Sequence, residues 1–156
     1  MSSRVFLSLG SNVGDRAAHL RAGVEIVVGA EAHRVSRVYQ SEPVGGVSQD
    51  DFWNLVVELT TTMSPWAILD RAQAAEAARG RRRNVRWGPR TLDVDVVWVD
   101  GFESDDPELI VPHPRAFERA FVLVPWRELA PDLVSQSDVE RSFGRVAVLD
   151  TLESLQ

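Results

Sequence analysis

The sequence predicts an α+β fold: a ferredoxin-like βαββαβ core with a mainly antiparallel sheet and helices packed on it, plus C-terminal additions. Three observations carry this. Short apolar or β-branched runs recur at residues 5–9, 34–39, 52–62 and 92–99. Two stretches between them have helical start or spacing signals, and the resulting order is strand, helix, strand, strand, helix, strand. No internal repeat or Ser/Gly linker divides the 156 residues, so a single domain over 1–156 is expected.

Residues 5–9 (Val-Phe-Leu-Ser-Leu) read as a buried strand and residues 10–15 as a turn, with Asp15 placed to cap the next helix. That helix carries Leu20, Val24, Val27 and Val28 on one face and stops at Gly29. Residues 34–39 form the second strand. Residues 41–51, with Pro43 and Gly45-Gly46, make a loop longer than a hairpin needs, a length often tied to function. After the third strand at 52–62, Ser64-Pro65 supplies a cap and a proline at the first helical position, and Gly80 ends that helix. Residues 81–91 are irregular and basic, and 92–99 form the fourth strand. Beyond Pro107 only a short helix near 115–118 and an apolar segment at 121–124 are legible.

Composition narrows the chemistry. Hydrophobic residues make up 44% and charged residues 26%, the profile of a globular domain able to bury its own core. The chain has no cysteine, which removes disulfides, thiolate metal sites and cysteine nucleophiles. All 17 basic residues are arginine; the lack of lysine excludes Schiff-base chemistry and the lysine of a nucleotide P-loop. Phosphate would have to be held by arginine, backbone amides or metal. No apolar run approaches the ~20 residues of a membrane helix. The Met1-Ser2-Ser3-Arg4 opening leads into a strand too short for a signal-peptide core, so a cytoplasmic protein without membrane partners is expected.

Asp93-Val94-Asp95 is the sharpest chemical feature. Alternation in a strand puts both carboxylates on one face, with Cα atoms roughly 6.5 Å apart. Carboxylates that close repel unless a cation sits between them, and their hard oxygens suit Mg²⁺. Alone, such a pair is more often an exposed polar face. Beside it, however, stand Arg81, Arg82, Arg83, Arg86 and Arg90 in a chain of net charge −6. Arginines grip phosphate oxygens in bidentate fashion, and with metal-binding carboxylates they equip a site for phosphoryl transfer.

The segment Arg86-Trp87-Gly88-Pro89-Arg90-Thr91-Leu92-Asp93-Val94-Asp95-Val96-Val97 resembles the signature of the 6-hydroxymethyl-7,8-dihydropterin pyrophosphokinase family. Residues 7–16 (LSLGSNVGDR), 39–45 with Phe52-Trp53-Asn54, and 111–115 (VPHPR) with 118–123 (ERAFVL) resemble further family segments in the same order. Together they span residues 5 to about 131.

The resemblance implies transfer of a pyrophosphoryl group from ATP, the co-substrate, to 6-hydroxymethyl-7,8-dihydropterin in folate biosynthesis. The pterin hydroxyl would attack the β-phosphorus in line, with AMP leaving. Position by position, Asp93 and Asp95 would bind two Mg²⁺ ions, and Arg81 and Arg90 would stabilise the transferring group. Gln73, Glu76, Arg83, Trp87, His113 and Arg119 would contact ATP. Phe52 and Phe121 would sandwich the pterin, while Asn54 and the chain around Ser41 and Val44 would read its edge. An asparagine offers such an edge a donor and an acceptor, and paired rings suit a flat heterocycle. His19 and His33 read as surface residues. Trp53 stands where the family more often has an aliphatic, and the tail after about Pro131 carries no family motif.

Two other classes compete. Ferredoxin-like sheets with surface aromatics also bind RNA, but the negative net charge and the lack of an aromatic-basic run argue for no nucleic-acid partner. A non-catalytic ligand-binding domain on the same scaffold would leave the carboxylate pair without purpose. A monomer is the expected state.

Overall fold

The computed structural model describes residues 1–43, 49–80 and 91–155. Six strands form the main sheet: β1 (Ser3–Ser11), β2 (Ala32–Val35), β3 (Val38–Ser41), β4 (Phe52–Thr61), β5 (Asp93–Val99) and, after a small β6 (Ser104–Asp106)/β7 (Leu109–Val111) hairpin, β8 (Val146–Asp150). Their order is β5–β1–β4–β3–β8, with β2 also pairing β4, and every ladder is antiparallel. This is the expected α+β architecture. Among the described residues four α-helices accompany it: α1 (Arg16–Val28), α2 (Pro65–Ala78), α3 (Ala120–Leu129) and α4 (Gln136–Arg141). Among the described residues no helix is long and apolar enough to cross a membrane.

The expected caps are present. The Asp15 side chain accepts from Ala18 N at 3.0 Å, and Ser64 accepts from Ala67 N at 3.1 Å ahead of Pro65. Arg71 of α2 donates to the carbonyls of Val27 and Val28, covering the C-terminal end of α1. Gly23 lets α1 press onto the sheet, since a Cβ there would lie 2.8 Å from Leu92 Cδ2. His19 corrects the surface reading: it is half-buried, and its Nδ1 accepts from Arg79 Nε at 3.0 Å.

The sheet has two covered faces. Val5, Leu7, Leu9, Leu55, Val57, Val94 and Val96 pack under α1 and α2 with Leu20, Val27, Ile68 and Ala72. Phe6, Val56 and Val97 pack on the other side beneath Val122, Leu123 and Trp126 of α3. Each fully buried Leu, Ile or Phe contributes about 1.5–3 kcal/mol. A bulge at Val97, opposite the Phe6–Leu7 step, adds that side chain to the second core and turns Trp98 toward Trp126.

Three local expectations change. Residues 34–39 form not one strand but two, because Ser36 Oγ accepts the Val56 N–H at 2.9 Å and interrupts the ladder. Residues 10–11 continue β1 rather than turning. The apolar segment at 121–124 belongs to α3, which contains Pro125.

Tyr39 ties β3 to α3 by donating to Glu128 Oε1 at 2.6 Å. Burial, then this hydrogen bond, pushes its phenol up to about 12. An acid raised in the folded state adds stability that is present below its unfolded value near 10 and disappears as pH rises through 12. Denaturant titrations should therefore show stability falling from about pH 10 upward. The same titration of Tyr39→Phe should lack that component; identical slopes for the two proteins would contradict the assignment.

Candidate active site

α3 covers only one end of the second sheet face. The other end carries Ser8 and Gly10 of β1, Phe52 and Asn54 of β4, Ser41 of β3, and Asp93 and Asp95 of β5, all in phase with Phe6, Val56 and Val97. Register aligns Asp93, Gly10, Asn54 and Tyr39 across four strands, with Asp95 and Ser8 in the next row. Asp93 and Asn54 are therefore two strand spacings apart, roughly 10 Å. The residue between them is Gly10, the smallest available, which leaves the floor without a side chain at that point.

Asn54 is buried in that floor at 3% exposure, and its Nδ2 donates to Ser41 Oγ at 2.7 Å. This turns the amide nitrogen toward β3 and leaves Oδ1 over Gly10. A Cβ at Gly10 would stand 3.0 Å from Asn54 Oδ1 and 3.5 Å from Phe52 Cδ1. Ser41 also lines a pocket of about 130 Å³ with Pro43, Phe121 and residues 143–146. The sequence reading missed Gly10 and the Phe143–Val146 wall. Gly10 lay in a predicted turn, and residues 143–146 reach the site only through pairing of β8 with β3 and the Phe143 N–H donated to Glu118 O at 3.0 Å.

On the other side of the carboxylates, a cleft of about 500 Å³ runs along the free edge of β5. It brings together Gln73 and Glu76 of α2, Asp95 and His113, with Leu109 and Ile110 of the hairpin as an apolar wall. Glu76 is buried, and one carboxylate oxygen accepts the Val94 N–H at 2.9 Å, satisfying an edge donor of β5. His113 is docked against the strand by its N–H to Val97 O at 2.9 Å, which sets its Nε2 3.9 Å from Asp95 Oδ1.

Two basic side chains stand beside the carboxylates, and both are shifted by burial. Burial, and next the nearby Arg115, push the half-buried Arg119 guanidinium below its ordinary range, while Asp95 and Asp93 act in the opposite sense. Burial, then Arg119, likewise holds the His113 imidazole below its usual value. Arg119 also stands over the Phe121 ring at 5.5 Å, linking the two parts of the site. Among the sequence-predicted residues, Val44, Arg81, Arg83, Trp87 and Arg90 lie outside the described residues.

Residues 6–131 match the family described as 7,8-dihydro-6-hydroxymethylpterin-pyrophosphokinase (HPPK). The chain belongs to that family. The 2-amino-4-hydroxy-6-hydroxymethyldihydropteridine pyrophosphokinase of Methylorubrum extorquens is 43% identical over 142 residues, covering 89% of this chain and 90% of its own. The protein of the same name from Bacillus subtilis is 38% identical over 140 residues, covering 88% and 84%. Among solved structures, an HPPK-DHPS in complex with substrates gives a TM-score of 0.61 at 12% identity, covering 99% of this chain and 43% of that one. Plasmodium falciparum HPPK-DHPS gives 0.58 at 13% identity, covering 98% and 43%. At such identities the likeness is one of fold, and this pyrophosphokinase-family chain spans less than half the length of those proteins.

Proposed function

We propose that this pyrophosphokinase-family chain transfers a pyrophosphoryl group from ATP to 6-hydroxymethyl-7,8-dihydropterin at the open end of the second sheet face, giving the pterin diphosphate and AMP in folate biosynthesis. The observation that carries the placement is the position of Asp95. It stands on the same strand face as Asp93, and it also lines the cleft that holds Gln73, Glu76 and His113. A nucleotide in the cleft and a pterin over Gly10 would thus meet at the two carboxylates.

Asp93 and Asp95 fit Mg²⁺. Their oxygens are hard donors on one strand face. Ions bound here would complete their shells with phosphate oxygens and water, as Mg²⁺ commonly does. We assign two such ions, which would supply positive charge to the triphosphate. The rest falls to protein side chains. Phe52 and Phe121 would stack on the pterin, and Asn54 with the chain at Ser41 and Val44 would read its edge. Gln73, Glu76, Arg83, Trp87, His113 and Arg119 would seat ATP. The pterin hydroxyl oxygen would attack the β-phosphorus in line as the bond to the α-phosphate oxygen breaks, with Arg81 and Arg90 facing the charge that develops.

We further place the enzyme in the cytoplasm as a single-domain monomer over residues 1–156, with small-molecule partners only. The cysteine-free composition fits a reducing compartment.

Incubation with MgATP and the reduced pterin should yield AMP and the pterin diphosphate in equal amounts; ADP as product would sink the reading. Truncating a stacked ring costs roughly 1–3 kcal/mol. Phe52→Ala and Phe121→Ala should therefore each weaken pterin binding about 5- to 150-fold, on the rule of 1.4 kcal/mol per decade. Calorimetry in which ATP affinity falls as far as pterin affinity would count against the assignment.

A further inference from the structure

Behind the sheet, directly under the pterin side of the floor, Arg16 makes two contacts that flank Phe52. Its Nη1 donates to Asp51 O at 2.9 Å, and its guanidinium lies over the Trp53 ring at 4.4 Å. Trp53 packs with the α1/α2 core, so it points away from the face that carries Phe52 and Asn54. Gln40, paired with Trp53 across β3–β4, donates to Asp51 Oδ2 at 3.2 Å and closes the cluster. Arg16 opens α1 directly after the Asp15 cap, so the helix start fixes where its guanidinium can reach. We infer that Arg16 is a positioning residue for the acceptor substrate: by holding residues 51 and 53 from the rear, it sets the ring of Phe52 over Gly10 without touching either substrate. The inference rests on the pterin role of Phe52 proposed above.

The physical logic is local. Phe52 is the first residue of β4, where a ladder frays unless something outside it restrains the chain. A hydrogen bond on one side and a cation–π stack on the other restrain both neighbouring peptides. Losing them leaves the strand paired but lets the ring swing, so acceptor binding weakens while the nucleotide cleft, on the far side of β1, is untouched.

Arg16→Ala should raise the pterin KM about five- to tenfold, with ATP KM and the melting temperature little changed. Arg16→Lys, which keeps the charge and one donor, should recover part of the loss. Trp53→Phe should behave nearly as the parent and Trp53→Leu nearly as Arg16→Ala, with the double variant Arg16→Ala/Trp53→Leu no worse than either alone. Phe52→Ala separates the two claims. If it leaves pterin KM unchanged, the stacking role of Phe52 fails. If Phe52→Ala raises pterin KM and Arg16→Ala does not, or if Arg16→Ala raises both KM values alike, the positioning role fails.

Discussion

Asp95→Ala is expected to lower the rate of the chemical step by about three orders of magnitude, with Asp93→Ala close behind. Each decade of rate corresponds to 1.36 kcal/mol, so the loss amounts to about 4 kcal/mol of transition-state stabilisation. That is a reasonable consequence of removing one of two carboxylates that fix metal charge against a triphosphate. The fold should not suffer: the Asp95 side chain is 43% exposed, and it is its neighbours Val94 and Val96 that face the α1/α2 core. The deficit should appear chiefly in the presence of ATP, because carboxylates alone provide only part of a magnesium shell. Single-turnover measurement across a magnesium titration decides the matter. Retention of more than about a tenth of the parental rate by either variant at saturating Mg²⁺ would remove the carboxylates from the mechanism.

Gly10→Val should abolish useful acceptor binding, and Gly10→Ala should weaken it about 5- to 150-fold, the range expected for overpacking by 1–3 kcal/mol. The reason is geometric. The first added carbon lies 3.0 Å from Asn54 Oδ1 and 3.5 Å from the Phe52 ring, so either the amide leaves its bond with Ser41 or the floor fills. The backbone at Gly10 is an ordinary strand conformation paired on both sides, so the substitution needs no unusual torsion. ATP binding in the cleft beyond β5 should hardly change. Calorimetry with each substrate separately tests this: a Gly10→Val protein that melts normally and binds the pterin with parental affinity would show that the floor is not the acceptor site.

These two sites differ in how they could be read. Asp93 and Asp95 were legible as a unit because strand alternation alone puts them on one face, and an arginine-rich neighbour marks that face as chemical. Asn54 and Phe52 could be placed only by resemblance, since an Asn and a Phe at the start of a strand are ordinary residues until a partner strand is known. Gly10 was not legible at all. Its importance comes from lying between Asp93 on one side and Asn54 on the other, and both pairings join residues more than forty positions apart.

By itself, the sequence determined what depends on near neighbours along the chain. The caps at Asp15 and Ser64, the buried face of α1, the strands at 52–61 and 93–99, and the α+β order all follow from local periodicity and local hydrogen-bonding chemistry. Family membership followed too, from motifs that stay recognisable without any fold. The tertiary structure decided what depends on distant partners. Ser36 breaks β2 from β3 only because Val56 is there to be capped. β8 shows no alternating burial, being an edge strand with both faces largely open, so no period-two signal marks it; its pairing with β3 carries residues 143–146 to the wall beside Ser41 and Phe121. Arg16 and Trp53 lie more than thirty positions apart in the chain, and only sheet pairing sets one against the other. Side-chain contacts across a sheet are set by register, and register is a property of the assembled strands rather than of any one of them.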